Sequence, residues 1–137
     1  MAIVITVPGT PIARPRQRVG MRGGHAMTYT DGKHPIHSYK AAIRLAWAEA
    51  CDYGPTTAPV TMRIEAVFPR PKGKVWKTKR MASYPQCSKP DVDNLGKAVM
   101  DALNGIAYRD DSQVWLLTVT KRVASGDEQP RTEIEVT

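Results

Sequence analysis

Alternating apolar and polar residues mark four segments of the chain as strands. The clearest is 60–68, where every second residue is apolar and the residues between them are mostly polar. A period of two is typical of a strand with one buried and one exposed face. Weaker alternation at 3–7, 113–123 and 131–136 predicts three further strands, the last two separated by a turn.

A period near 3.6 residues predicts a helix that begins at about Asp91 and ends near Gly105. Its apolar stripe consists of Leu95, Ala98, Val99, Ala102, Leu103 and Ile106. A weaker pattern predicts another helix from Ser38, as its N-cap, to about residue 52, and a short helix at 75–81. Residues 13–36 are rich in glycine and predict an irregular or hairpin-like loop. Four strands and two main helices therefore predict one α/β (α+β) domain over residues 1–137, built on a mixed sheet.

Composition is that of a globular domain and excludes several other classes of protein. Of the 137 residues, 42% are hydrophobic and 24% charged, which is neither a disordered nor a membrane-embedded composition. The apolar start, residues 1–7, is too short to span a bilayer and lacks the basic flank of a signal peptide. Two cysteines 36 residues apart form no zinc motif or disulfide framework, so we expect a cytoplasmic protein without a membrane partner.

The net charge of +7 is unevenly distributed along the chain. The first basic segment, 14–40, has six basic residues against one acid, and the second, 69–89, has seven and no acid. Basic loops attract phosphates, so these segments predict binding to a polyanion such as DNA, although charged loops also simply aid solubility. The candidate DNA-binding residues are Arg14, Arg16, Arg18, Lys72, Lys74, Lys77, Lys79 and Arg80. Trp76, within the second segment, is expected either to stack on a base or to anchor its loop.

Five aspartates follow within residues 91–111, and they do not form a calcium loop. An EF-hand starting at Asp91 would need a ligand at its fifth and twelfth positions, and apolar residues stand at both. A helix fits better, with Asp91 as N-cap and Asp93 in the first turn. Asp93, Lys97 and Asp101 then lie one turn apart, opposite the apolar stripe. The simplest interpretation is a cap followed by Asp–Lys ion pairs.

A second acidic pair, Asp110-Asp111, changes this picture. If the strand that follows it lies beside the start of the helix, Asp111 approaches Asp91 and Asp93. Three neighbouring carboxylates repel one another unless they share a divalent cation, and an all-oxygen set favours Mg²⁺ or Mn²⁺ over zinc. Such a cation beside Lys97 is suited to the hydrolysis of phosphodiesters.

The block at 89–114, KPDVDNLGKAVMDALNGIAYRDDSQV, closely resembles the signature of the RusA-type Holliday junction resolvases, which also occur in phages and prophages. Residues 8–30 are similar to the arm of the phage-like branch of that family. The resemblance implies a homodimeric, Mg²⁺-dependent endonuclease that nicks two symmetric strands of a four-way DNA junction, in recombination and repair. By position, Asp91, Asp93 and Asp111 would bind the metal, with Asp110 as a further candidate, and Lys97 would be the essential lysine.

Two other interpretations remain open. The first is a non-catalytic basic accessory protein that binds nucleic acid, in which the Asp–Lys helix is only structural. The second keeps the metal site but assigns it to branched DNA other than four-way junctions.

Overall fold

The computed structural model describes residues 2–15 and 18–137. The strands in this part of the chain are β1 (Ile3–Pro8), β2 (Arg18–Arg22), β3 (His25–Tyr29), β4 (Val60–Phe68), β5 (Tyr84–Pro85), β6 (Val114–Val123) and β7 (Arg131–Val136). The helices are α1 (Ile36–Ala50) and α2 (Val92–Leu103), and 3₁₀ turns form at Lys72–Lys74 and Asp111–Gln113.

A mixed sheet with the strand order β1-β7-β4-β6-β5 forms the centre of the fold. Strand β4 runs parallel to β6 and antiparallel to β7, which also pairs with β1 in the antiparallel sense. A parallel pair needs a long crossover connection, and α2 lies in the one between β4 and β6. The predicted α+β class, mixed sheet and two main helices are confirmed. The extra strand, β5, pairs over only two residues and leaves no periodic pattern in the sequence.

The core lies between the sheet and both helices. In β4 the predicted alternation is confirmed, because Met62, Ile64 and Ala66 are buried while Arg63 is exposed. The side chains at the centre of the core are almost completely buried: Ile43, Ile64, Val99, Leu103, Tyr108 and Ile134. Burial of an aliphatic side chain contributes about 1.5–3 kcal/mol, so this layer fixes α2 firmly on the sheet.

Helix α1 begins earlier than the sequence predicts, and Ser38 is not its N-cap. The helix starts at Ile36, whose backbone N–H donates to Nδ1 of His34 at 3.0 Å. Because a ring nitrogen satisfies one of the N–H groups that the first turn leaves unpaired, the helix starts two residues before the predicted serine. This contact gives His34 a structural role.

The second basic segment does not form the helix predicted at 75–81. After the 3₁₀ turn at Lys72–Lys74 the chain is irregular, and Arg70 fastens it at several points. The Arg70 guanidinium donates to the carbonyl oxygens of Lys74 at 2.5 Å, Ala82 at 2.9 Å and Ala124 at 3.3 Å. These bonds draw the segment into a closed loop, which a straight helix does not permit.

Strands β2 and β3 form a hairpin within the first basic segment, where the sequence predicts an irregular or hairpin-like loop. Gly23 and Gly24 form its turn with φ of +59° and +80°, a combination that glycine adopts without strain. In the described ranges no helix is long and apolar enough to cross a bilayer.

Candidate active site

The start of α2 carries two exposed carboxylates, those of Asp91 and Asp93. Asp91 occupies the predicted N-cap position, but its side chain forms no capping hydrogen bond. Asp93 lies in the first turn, where the helix dipole favours a negative charge. The helix therefore uses Asp91 only through its backbone, whose carbonyl accepts from the N–H of Leu95 at 3.2 Å. Neither carboxylate forms a hydrogen bond or ion pair within the part of the chain that the structure describes.

The predicted Asp–Lys ion pairs along α2 are not formed. Lys97 is exposed and makes no ion pair with any residue that the structure describes. Asp101 instead faces Arg14, whose Nε lies 3.6 Å from Asp101 Oδ2. Because the structural interpretation of this helix depends on that ladder, its absence favours another use for Asp93 and Lys97.

The two acids of the second pair have different environments. Asp110 caps the 3₁₀ turn: its Oδ2 accepts from the N–H of Ser112 at 3.1 Å and from the Ser112 hydroxyl. Its own N–H donates to Oε1 of Gln113 at 2.9 Å, which completes a capping box. The side-chain hydrogen bond from Ser112 is the main reason that the pKa of Asp110 is lowered. Asp110 is thus occupied structurally, and Asp111, half-buried and without such bonds, is the better candidate ligand.

Tyr108, which follows the C-terminal end of α2, is buried. The Tyr108 hydroxyl is in the interior and donates to the carbonyl oxygen of Met100 at 2.7 Å. Burial raises the pKa of Tyr108, and the negative charges of Asp111, Asp101 and Asp110 raise it further.

Strand β6 runs antiparallel to α2. This arrangement places Asp111 and Asp91 at opposite ends of the helix. Near the start of the helix, Nζ of Lys121 donates to the carbonyl oxygen of Pro90 at 2.7 Å. Midway, a Cβ atom at Gly96 would lie 3.1 Å from Leu117, so helix and strand pack closely. Since Asp111 precedes β6, it lies at the opposite end of α2 from Asp91, and a 12-residue helix is about 18 Å long.

The expectation that Asp111 approaches Asp91 and Asp93 within one chain is therefore wrong. Within residues 2–15 and 18–137, no group of three or more His, Cys, Asp or Glu side chains is placed to hold one metal ion. One chain offers a pair of carboxylates at the start of α2 and Asp111 at its end. The assignment of these residues to a metal stays a prediction.

The first basic segment is attached along α2. The backbone N–H of Arg14 donates to the carbonyl oxygen of Asn94 at 3.0 Å, and its side chain is paired with Asp101. Arg14 is therefore partly neutralised, which weakens its predicted role in DNA binding. Arg16 lies outside the described residues, and Arg18 is described only by its backbone in β2.

The predicted DNA-binding residues of the second basic segment are all exposed: Lys72, Lys74, Lys77, Lys79 and Arg80. Trp76 packs within this loop, with the Arg70 guanidinium 5.2 Å and the Lys79 ammonium 5.6 Å from the ring centroid. Such cation–π contacts favour the anchoring role for Trp76. Arg70 is the residue that organises the loop. Sequence patterns do not distinguish it from its basic neighbours, because its role depends on carbonyl groups far apart in the chain.

Comparison with known proteins identifies the family of the chain. The family model for endodeoxyribonuclease RusA matches residues 8–137. The chain is also 34% identical over 140 residues to the uncharacterized protein YqaN of Bacillus subtilis strain 168, and the alignment covers 98% of this chain and 94% of that protein. The family match includes the acidic helix, the second acidic pair and both basic segments. The chain belongs to the RusA endodeoxyribonuclease family.

Proposed function

We propose that the protein is a Mg²⁺-dependent endonuclease that resolves four-way DNA junctions by paired symmetric nicks. The observation that carries the proposal concerns Asp91, Asp93 and Lys97, at and after the start of α2 in a RusA family member: all three are exposed and form no ion pair with the residues that the structure describes. The helix dipole favours Asp93 in the first turn, but it gives no structural use to the Asp91 side chain, which forms no capping hydrogen bond, or to Lys97. Under this proposal the protein acts on cellular or phage DNA in the cytoplasm.

The donor atoms suit magnesium, although one chain does not bring enough of them together. Asp91, Asp93 and Asp111 offer only carboxylate oxygens, which Mg²⁺ prefers. Their separation along α2 means that a complete set requires Asp111 from another chain. The proposed metal site is therefore shared between two copies of the protein.

The exposed edge of β6 supplies a surface for that second copy. Strand β5 covers only Val123 and Arg122, which leaves the outer edge of β6 from Val114 onward without a strand partner in the described part of the chain. Trp115, Leu116 and Leu117 are 68%, 50% and 38% exposed along this edge. Long, exposed, apolar edges tend to pair with another strand. We therefore propose that two copies of the protein form a two-fold dimer through this edge.

A two-fold axis at the β6 edge places the α2 helices of the two copies side by side and antiparallel. The start of α2 in one copy then faces the end of α2 in the other. Asp91 and Asp93 of each copy would lie beside Asp111 of its partner, which creates two equivalent sites. Two sites related by symmetry are what paired nicks in opposite strands require.

The remaining roles follow from charge. When bound, the magnesium ion would supply an activated water and stabilise charge that develops on the phosphate. The Lys97 ammonium, one turn from Asp93, would offset the added negative charge of the transition state. The exposed lysines of the second basic segment would hold the DNA backbone, and Arg70 would keep their loop in shape.

The proposal is tested with a synthetic four-way junction whose strands are labelled in turn. In Mg²⁺ the wild-type protein should nick two opposite strands at symmetry-related positions, and the nicks should be ligatable. Asp93→Asn should bind the junction with unchanged affinity and cut it at least about 100-fold more slowly, because one ligand of the metal is removed. If the protein cuts flaps or three-way branches as fast as four-way junctions, the same site acts on branched DNA in general.

The separation of the carboxylates in one chain favours a second candidate, a non-catalytic basic accessory protein. This candidate predicts salt-sensitive binding that is indifferent to Mg²⁺ and to the branching of the DNA. Wild-type binding without cutting, under conditions in which the protein is dimeric, would support it.

A further inference from the structure

The β2–β3 hairpin exposes apolar side chains that nothing in the described part of the chain covers. Val19 is 70% exposed and Met21 is 73% exposed. Both lie in β2 two residues apart, so they share one face of the hairpin. Isolated two-stranded hairpins are marginally stable in water, and an apolar face gives this one a reason to bind a partner.

The opposite face of the hairpin carries Tyr29, which is 49% exposed, and Met27, which is 46% exposed. A Cβ atom at Gly20 would lie 2.9 Å from Cε1 of the Tyr29 ring, so the ring rests directly on the glycine backbone. A side chain at position 20 would force this ring to shift. Val19 and Met21 are more exposed than Tyr29 and Met27, and we call the face that carries them the free face.

The charge around the hairpin indicates which partner covers the free face. The hairpin lies within the first basic segment, which has six basic residues against one acid. A second copy of this basic hairpin would repel it, whereas a polyanion would be attracted. Among polyanions, DNA also offers apolar surface, namely the faces of bases that have lost a stacking neighbour. Two-stranded ribbons fit DNA grooves, and apolar side chains can wedge between base steps.

The hairpin is joined to the body beside the candidate active site. Arg14, four residues before β2, is bonded to Asn94 and paired with Asp101 on α2. Five residues of β2 extend about 13 Å, which corresponds to about four base steps of DNA. A branch point bound by the hairpin would thus lie on the DNA that the candidate active site engages.

We propose that Val19 and Met21 pack against unstacked bases at the branch point of the DNA and thereby select branched over linear duplexes. This inference rests on the proposed function, since it names the feature of the substrate that the hairpin recognises. The phosphates near the branch would be bound by the surrounding basic residues, and the apolar pair would supply the preference for a branch.

The test uses four-way junctions that carry 2-aminopurine next to the branch, with binding measured in EDTA so that no metal-dependent cutting occurs. Unstacking of the probe by wild-type protein should increase its fluorescence. The double variant Val19→Ser/Met21→Ser should lose most of this increase and about tenfold of its affinity for the junction, the low end of the range for burial of one apolar side chain. Its affinity for a linear duplex should change by less than about twofold, because phosphate contacts dominate there.

The matched control is Val4→Ser/Leu45→Ser, which removes two side chains of similar exposure, 61% and 62%, outside the hairpin. It should behave as wild type, and Met21→Leu should retain the fluorescence increase. Circular dichroism melts establish that the variants are folded. Fluorescence that rises equally with the hairpin double variant would overturn the inference, as would parallel losses for junction and duplex. A shift of this variant to lower mass in sedimentation would assign the face to a second copy and also overturn it.

Different results contradict the proposed function and the role of the hairpin. A wild-type protein that never cuts four-way junctions in Mg²⁺ contradicts the proposed function. A wild-type protein that cuts junctions and opens the branch, together with a hairpin variant that opens it equally well, contradicts only the role of Val19 and Met21.

Discussion

Mixing two inactive variants gives a decisive test of the shared metal site. Asp93→Asn and Asp111→Asn remove ligands from opposite ends of α2, and each homodimer should be inactive because both of its sites lack one ligand. In a mixed dimer, one site combines the two substituted residues. The other combines Asp93 from one copy with Asp111 from its partner and is intact. Sites built within single chains would all be broken, whatever the mixture.

The expected magnitude follows from the two-fold geometry. Random exchange of equal amounts makes about half of the dimers mixed, and each mixed dimer has one of two sites intact, so about one quarter of the wild-type sites are restored. Because each mixed dimer has a single site, it should nick one strand and rarely complete a paired cut. The products should therefore be nicked junctions.

The assay is a denaturing gel of junctions labelled on all four strands, after the variants are unfolded and refolded together. Each variant refolded alone is the control for residual activity, and a mixture of wild type with Asp93→Asn calibrates the exchange. No recovery of nicking in the mixture, with exchange demonstrated by sedimentation of differently tagged copies, would refute the shared site.

Three further predictions concern the fold and its surfaces. Trp115→Lys places a charge on the apolar edge of β6 and should shift the protein to monomers in sedimentation, with loss of cutting; a dimeric and active variant would contradict the proposed interface. Arg70→Gln removes the bonds to Lys74, Ala82 and Ala124, so trypsin should cleave the second basic segment several-fold faster, while an unchanged rate would mean that the loop is held otherwise. Glu128→Gln should lower the free energy of unfolding at pH 7 by about 1–2 kcal/mol in urea titrations, since Glu128 accepts from Arg122 at 2.6 Å and from Arg131 at 3.0 Å. Hydrogen bonds from Arg122 lower the pKa of Glu128, so Glu128 stabilises the fold fully above the ordinary glutamate pKa. This stabilisation is lost as the pH falls through the lowered pKa of Glu128. A difference in unfolding free energy between variant and wild type that persists in strong acid would exclude this cause.

The parts of the fold that follow from the sequence are those with a long periodic pattern. Strand β4 and helix α2 have nine and twelve residues, enough to display periods of two and 3.6. The start of α1 is set instead by a histidine ring nitrogen, and the second basic segment by the bonds of one arginine to distant carbonyls. Such contacts depend on the tertiary structure and leave no local pattern.

For the candidate site, residue types are easier to infer than positions. The composition of the acidic block indicates oxygen ligands, but the expected meeting of Asp111 with Asp91 assumes that β6 begins beside the start of α2. A short connection from a helix to a strand packed against it makes the two run antiparallel, so the acids in that connection lie at the end of the helix. By this rule the sequence itself indicates that Asp111 lies at the opposite end of α2 from Asp91 and Asp93.

The most direct test of the central claim is the cleavage of a labelled four-way junction in Mg²⁺ by wild-type protein and by Asp93→Asn at equal occupancy of the DNA. We predict paired symmetric nicks by the wild type, their disappearance in EDTA, and binding without cutting by the variant. Wild-type protein that binds the junction but leaves every strand intact, or an Asp93→Asn variant that cuts at the wild-type rate, would contradict the account.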